Sequence, residues 1–187
     1  MYSERVVVFD VETTGFKHDN DRVIELGVIW IESGRKVMDL AMLLDPEVCV
    51  SEKITEITGI KQAMLLGKPL FGDVCDFVID LLASPSVLVA YNGEFDIRFL
   101  TAEVGRCGKN LAVSDKVIDP LKWVRSTDTG SCKLGAAAER RGIDVKNAHR
   151  ALGDCYTTLK LLCKIDMPDG LNDTLEVQAG LRRKRRR

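Results

Sequence analysis

Val6-Val7-Val8-Phe9-Asp10-Val11-Glu12 decides how this chain is read. Four apolar residues in an unbroken run are the pattern of a strand buried on both faces, as in a sheet covered by helices. The run leads straight into two carboxylates. Residues two apart on a strand share a face, so Asp10 and Glu12 point the same way. Two acids held side by side call for a cation between them. The plainer alternative makes Asp10 the first loop residue and Glu12 a solvated surface charge.

Two further acidic clusters lie downstream. Val87-Leu88-Val89-Ala90 is another short buried-strand pattern, followed by Tyr91-Asn92-Gly93-Glu94-Phe95-Asp96 and a helix with Phe95, Phe99, Leu100 and Val104 on its apolar face. Asp96 falls in the first turn of that helix, where the macrodipole favours an acid, so alone it reads equally as cap or ligand. The third cluster is His149-Arg150-Ala151-Leu152-Gly153-Asp154. Ala151, Cys155, Thr158, Leu159 and Leu162 recur at helical spacing, and Asp154 lies inside that apolar stripe. A carboxylate on the core side of a helix is costly unless a cation or donors meet it. His149 precedes Asp154 by five residues, about 140° round a continuous helix. Both face one site only if His149 stands on the loop ahead of the helix. By itself a lone histidine is more often an ordinary surface or core residue.

Magnitudes favour metal if the four acids converge. At about 5 Å and an effective dielectric of about 20, each like-charged pair costs roughly 3 kcal/mol. Six pairs cost on the order of 20 kcal/mol as an upper bound, against the roughly 5 to 15 kcal/mol that holds a domain together. Divalent cations remove the conflict. An all-oxygen donor set favours Mg2+ or Mn2+ over zinc, which would call for cysteine or several histidines.

The three clusters resemble the exonuclease motifs of the DEDDh, or DnaQ-like, 3'-5' exonucleases, the family of the DNA polymerase III epsilon proofreading subunit. The motif residues are Phe9-Asp10-Val11-Glu12-Thr13-Thr14-Gly15-Phe16, Asn92-Gly93-Glu94-Phe95-Asp96 and the segment His149 to Asp154. Lesser similarities are Ile57-Thr58-Gly59-Ile60, Val117-Ile118-Asp119-Pro120-Leu121 and the stretch from Lys133 to Ile143, so the resemblance covers about residues 4 to 165. Tyr91 stands where many relatives have histidine, and Cys155 where alanine is frequent; neither is a catalytic position in the family. The resemblance implies an RNase H-like α/β fold, a five-stranded mixed sheet of order 3-2-1-4-5 flanked by helices. It implies that Asp10, Glu12, Asp96 and Asp154 hold two Mg2+, with Mn2+ also supporting activity, while His149 activates water. It further implies that Thr13, Thr14, Gly15, Phe16 and Asn92 touch the 3'-terminal nucleotide. Phe16 is the residue that would stack on the last base, with a core or loop-anchoring role as its plain alternative; His18 reads as solvated.

Composition fits one compact domain. The chain has 187 residues, 45% of them hydrophobic, with five prolines. Its six cysteines form no Cys-x-x-Cys pair, which argues against a zinc site or a disulfide framework. No apolar run approaches 18 residues and Met1-Tyr2-Ser3-Glu4-Arg5 is not a signal peptide, so the expected location is cytoplasmic, with no membrane partner. The expected order is strand 5–10, strands 22–32 and 35–44, and a loop carrying Asp45-Pro46 and Thr58-Gly59-Ile60. Then come helix 73–82, strand 87–90, helix 94–105, strand 115–119 and helical pieces near 120–126, 132–141 and 150–165. Residues 1–165 are read as the exonuclease domain, and 166–187 as a linker and basic tail.

Six of the 27 lysines and arginines are Arg182, Arg183, Lys184, Arg185, Arg186 and Arg187, leaving 21 against 28 acids, a net of −7 for the rest. The tail reads as a solvated end, a nucleic-acid tether or a nuclear targeting signal. The activity expected is release of nucleoside 5'-monophosphates from single-stranded or mismatched DNA 3' ends, in proofreading or repair beside a polymerase partner. The rivals are an exoribonuclease of the same family, separated by rates on matched DNA and RNA, and a non-catalytic polymerase or repair binding subunit. A phosphatase acting on free nucleotides would show itself by activity on mononucleotides.

Overall fold

The computed structural model describes residues 5–33, 35–83 and 86–165. Strands β1 (Arg5–Thr13), β2 (Val23–Glu32), β3 (Arg35–Leu43), β4 (Val87–Val89) and β5 (Val117–Ile118) form one sheet in the order β3-β2-β1-β4-β5. The β1–β2 and β2–β3 pairs are antiparallel; β1–β4 and β4–β5 are parallel. This is the mixed RNase H-like sheet that the sequence motifs imply.

The apolar run is continuous because helices cover both faces of β1. Val7, Phe9 and Val11 pack in one cluster with residues of α3 (Phe71–Leu82) and α4 (Gly93–Arg106), among them Phe99 and Leu100. Val6 and Val8 pack on the opposite face with Cys155, Leu159 and Leu162 of α7 (Ala151–Leu162). Each large aliphatic side chain so buried contributes about 1.5 to 3 kcal/mol. Carrying the two-residue period forward from Val6 and Val8 puts Asp10 and Glu12 on the α7 face.

The differences from expectation have local causes. The first strand runs on from residue 10 to Thr13 because β2 stays paired with it, Asp10 opposite Gly27 and Glu12 opposite Glu25. The stretch after Leu44, read as a loop, holds α1 (Glu52–Thr58) and α2 (Gln62–Leu65). Ser51 Oγ accepts the Ile54 N–H at 3.3 Å to start α1, and Gly59 ends it at φ 72°. Seven residues are too few for an apolar period to show. The third helix starts at Phe71 rather than 73, and the fifth strand is shorter than the expected 115–119. Helices α5 (Pro120–Thr127) and α6 (Leu134–Glu139) lie close to expectation, and α7 stops at Leu162 rather than 165. The linker and tail read at 166–187 lie outside the described residues. No described helix is long and apolar enough to cross a membrane.

Candidate active site

Asp10 and Glu12 on β1 and Asp154 in the first turn of α7 each offer a carboxylate oxygen, and these three atoms lie within 4.8 Å of one another. Two glycines permit that approach. A Cβ on Gly27 of β2 would stand 2.3 Å from the Ala151 carbonyl carbon, so the start of α7 presses directly on the strand. One on Gly153 would stand 2.3 Å from the Asn147 carbonyl oxygen, so the loop before α7 folds back over the helix.

Asp96 is not one of the three. Its carboxylate, 2% exposed, accepts the backbone N–H of Val11 at 2.9 Å, midway between Asp10 and Glu12. Thus α4 delivers its acid to β1 from the other side of the sheet. Asn92, just ahead of α4, has φ 64°, and its N–H donates to Asp119 Oδ1 at 2.9 Å.

The acids are short of positive charge. Burial, then the charges of Asp96, Asp154, Glu12 and Glu25, hold Asp10 well above the usual carboxylate range. Burial pushes Glu12 up to about 8, with Asp154 and Glu25 adding to the effect and Arg150 opposing it. Burial also raises Asp96 to about 8 against the pull of the Val11 N–H, and Asp154 to about 6 against the nearby His149. Oxygen donors that crowd together with this charge deficit suit a hard divalent cation.

His149 stands on the loop ahead of Arg150, the residue that caps α7, as its spacing from Asp154 requires. It is exposed, its φ is 59°, and its N–H donates to Asp154 Oδ2 at 3.2 Å. Histidine and acids lie together along a groove of about 900 Å³. Ile54 and Ile57 of α1 line it, as do Arg125 of α5 and Lys133, the residue that precedes α6.

Thr13, Phe16 and Asn92 also line this groove, whereas Thr14 and Gly15 do not. The Thr13 hydroxyl donates to the Gly15 carbonyl at 2.5 Å. The Thr14 hydroxyl donates to Asp21 at 3.2 Å and accepts the Arg22 N–H at 3.0 Å. Phe16 is 71% exposed, which excludes the core reading, and its ring lies 6.5 Å from Phe95 at 57°. His18, read as solvated, instead sets its ring edge-on to Phe99 at 6.3 Å and meets Asp19 at 3.0 Å.

Sequence reasoning passed over Glu25, Arg125 and Lys133. Arg125 and Lys133 sit on separate elements with no shared spacing. Glu25 carried a signal, an acid inside the apolar run Val23-Ile24-Glu25-Leu26.

Residues 7–162 match the family model RNase_T, described as exonuclease. Over 163 residues the chain is 37% identical to the DNA polymerase III PolC-type of Clostridium perfringens (strain 13 / Type A), covering 86% of this chain and 11% of that polymerase. Over 159 residues it is 33% identical to the DNA polymerase III subunit epsilon of Treponema pallidum (strain Nichols), covering 82% of this chain and 72% of that subunit. The chain therefore spans about a tenth of the PolC-type relative. E. coli Exonuclease I in complex with a dT13 oligonucleotide shares the fold, with a TM-score of 0.76 at 19% identity over 91% of this chain and 43% of that one. With motifs, sheet order and family match in agreement, the chain belongs to the RNase_T exonuclease family, in the DnaQ-like group of the DNA polymerase III epsilon subunit.

Proposed function

We propose that this protein is a metal-dependent 3'-5' exonuclease that removes nucleoside 5'-monophosphates from unpaired or mismatched 3' ends of DNA. The observation that carries the reading is the meeting of Asp10, Glu12 and Asp154 within 4.8 Å beside a groove that also holds His149. DNA rather than RNA is favoured by the relatives, both of which are DNA polymerase III proteins. The same names favour association with a polymerase.

Asp10, Glu12 and Asp154 would hold the metal, and Asp96 would orient Asp10 and Glu12 through the Val11 backbone. When bound, a pair of Mg2+ or Mn2+ ions supplies charge stabilisation for the phosphate and the departing 3'-oxygen. His149 takes the proton of the water that attacks phosphorus, the general-base role that an imidazole most often fills. The P–O3' bond breaks, leaving the phosphate on the 5' side of the released nucleotide. Arg125 and Lys133 line the groove where they can follow the phosphates of the remaining strand, and Asn92 and Phe16 meet the terminal nucleoside.

The test is a gel assay of 5'-labelled DNA and RNA strands with Mg2+ and with EDTA, on the parent and on His149→Ala. Stepwise shortening of DNA in Mg2+ is expected, with none in EDTA and a rate about 10² to 10⁴ lower in the variant. Full activity in EDTA would refute the metal reading. Immediate release of labelled mononucleotide would reverse the polarity, and faster digestion of RNA would move the protein to the exoribonucleases.

A further inference from the structure

Glu25 is a charged residue in a buried strand, only 1% exposed, and lies directly opposite Glu12 on β1. A fifth acid so close to the site would deepen its charge deficit unless something neutralised it. Arg150 does so. Its Nε donates to both oxygens of Glu25 at 3.1 Å, and its Nη2 donates to Oε1 at 2.6 Å. The remaining contact is the Ala151 N–H, which donates to Oε2 at 2.9 Å. With four donations to one carboxylate, Glu25 has little left to offer a metal. It is saturated by the two residues that follow His149.

That placement has a mechanical consequence. His149 is exposed, in a left-handed backbone conformation, on a loop rich in strained residues; Asn147 is also at positive φ, 53°. Among the described residues its one hydrogen bond runs from its own N–H to Asp154. That backbone bond alone does not set the direction of an exposed imidazole. The fork from Arg150 to Glu25 fixes the next residue to β2, the strand that pairs with the acid-bearing β1.

We propose that Glu25 and Arg150 form a positioning pair that sets the place of His149 over the acids, resting on the reading of His149 as general base. Neither touches the reacting atoms. The rival account is that the pair merely docks the start of α7, a role blind to which side chain stands at 149.

A double-mutant cycle separates the two. Turnover on a short DNA strand would be measured for the parent, Glu25→Gln, His149→Ala and the double variant, all below their melting temperatures. A misplacement of about 1 Å costs on the order of 10²-fold. Glu25→Gln should therefore lose about 10- to 100-fold with His149 present and less than about threefold without it, with KM little changed. Equal losses in both backgrounds would overturn the positioning role and leave His149 as base intact. A His149→Ala enzyme as active as the parent would overturn both. If Glu25→Gln does not fold, Arg150→Lys serves in the same cycle, since it keeps the charge but lacks the planar fork.

Discussion

The Val11 N–H donates to the Asp96 carboxylate at 2.9 Å, so α4 is fastened to β1 between the two acids that face α7. One side chain thereby supplies negative charge near the site and satisfies a buried backbone donor. The two duties come apart on substitution. Asp96→Asn keeps an oxygen for Val11 and cannot take on the buried charge that Asp96 acquires above about pH 8, so at pH 8.5 without metal it should fold at least as stably as the parent while losing about 10- to 100-fold in activity or metal affinity. Asp96→Ala should lose similar activity and be less stable than Asp96→Asn by about 1 to 3 kcal/mol, the cost of an unpaired buried donor. Thermal melts of both variants decide this. Equal stability would mean that the Val11 bond carries no weight.

The raised carboxyls make metal-free stability depend on pH. In the unfolded chain these acids titrate near 4, whereas in the fold Asp154 titrates at about 6 and Glu12 and Asp96 at about 8. The folded state therefore binds more protons, and its stability falls as pH rises. Stability fully present below about pH 4 is lost progressively through pH 6 and is at its lowest above pH 8. Metal competes with those protons and replaces them as the source of positive charge. Mn2+ should raise Tm more at pH 8.5 than at pH 6, and melts with and without EDTA at the two values measure it. A larger gain at pH 6 would contradict the shared origin of burial, charge and metal affinity.

Gly27 tests the approach of α7 to the sheet. Its Cβ would meet the Ala151 carbonyl carbon at 2.3 Å and the Leu152 nitrogen at 2.5 Å, and both are backbone, so no side chain can swing aside. Gly27→Ala must push the start of α7 outward and carry Asp154 away from Asp10. A stability loss of about 1 to 3 kcal/mol is expected. Calorimetric titration should also find weaker Mn2+ binding than in the parent. Unchanged binding would show that Asp154 is held by the rest of its helix, through Cys155 and Leu159.

These residues also mark how far the sequence could be read. Asp10 and Glu12 are legible because a strand's period of two is strict, and Asp154 because an acid interrupts an apolar helical stripe. The place of His149 follows from turn geometry alone. The bond from Asp96 to Val11 is not legible, since a backbone donor leaves no trace in a side-chain pattern. Gly27 looks like any strand glycine until the helix that presses on it is known. Helix α1 is hidden by its brevity, although Ser51 and Gly59 mark its two ends, and its Ile54 and Ile57 go on to line the groove.

Phe16 offers the last test, of how the 3' end is chosen. At 71% exposure it is a large aromatic left in solvent beside the groove, backed by Phe95, which in turn packs on Phe99 with ring centres 4.8 Å apart. A base stacked there would gain about 1 to 3 kcal/mol whatever its identity, provided it has left its duplex partner. Phe16→Ala should therefore raise KM on single strands about 5- to 150-fold. Stability should change by no more than about 0.5 kcal/mol, as for an exposed side chain. Because the lost stacking was available only to an unpaired end, the preference for mismatched over blunt ends should shrink with it. A variant that melts several degrees lower yet keeps its KM and its preference would show that Phe16 anchors the Thr13 to Arg22 loop onto α4 and does not read the terminal base.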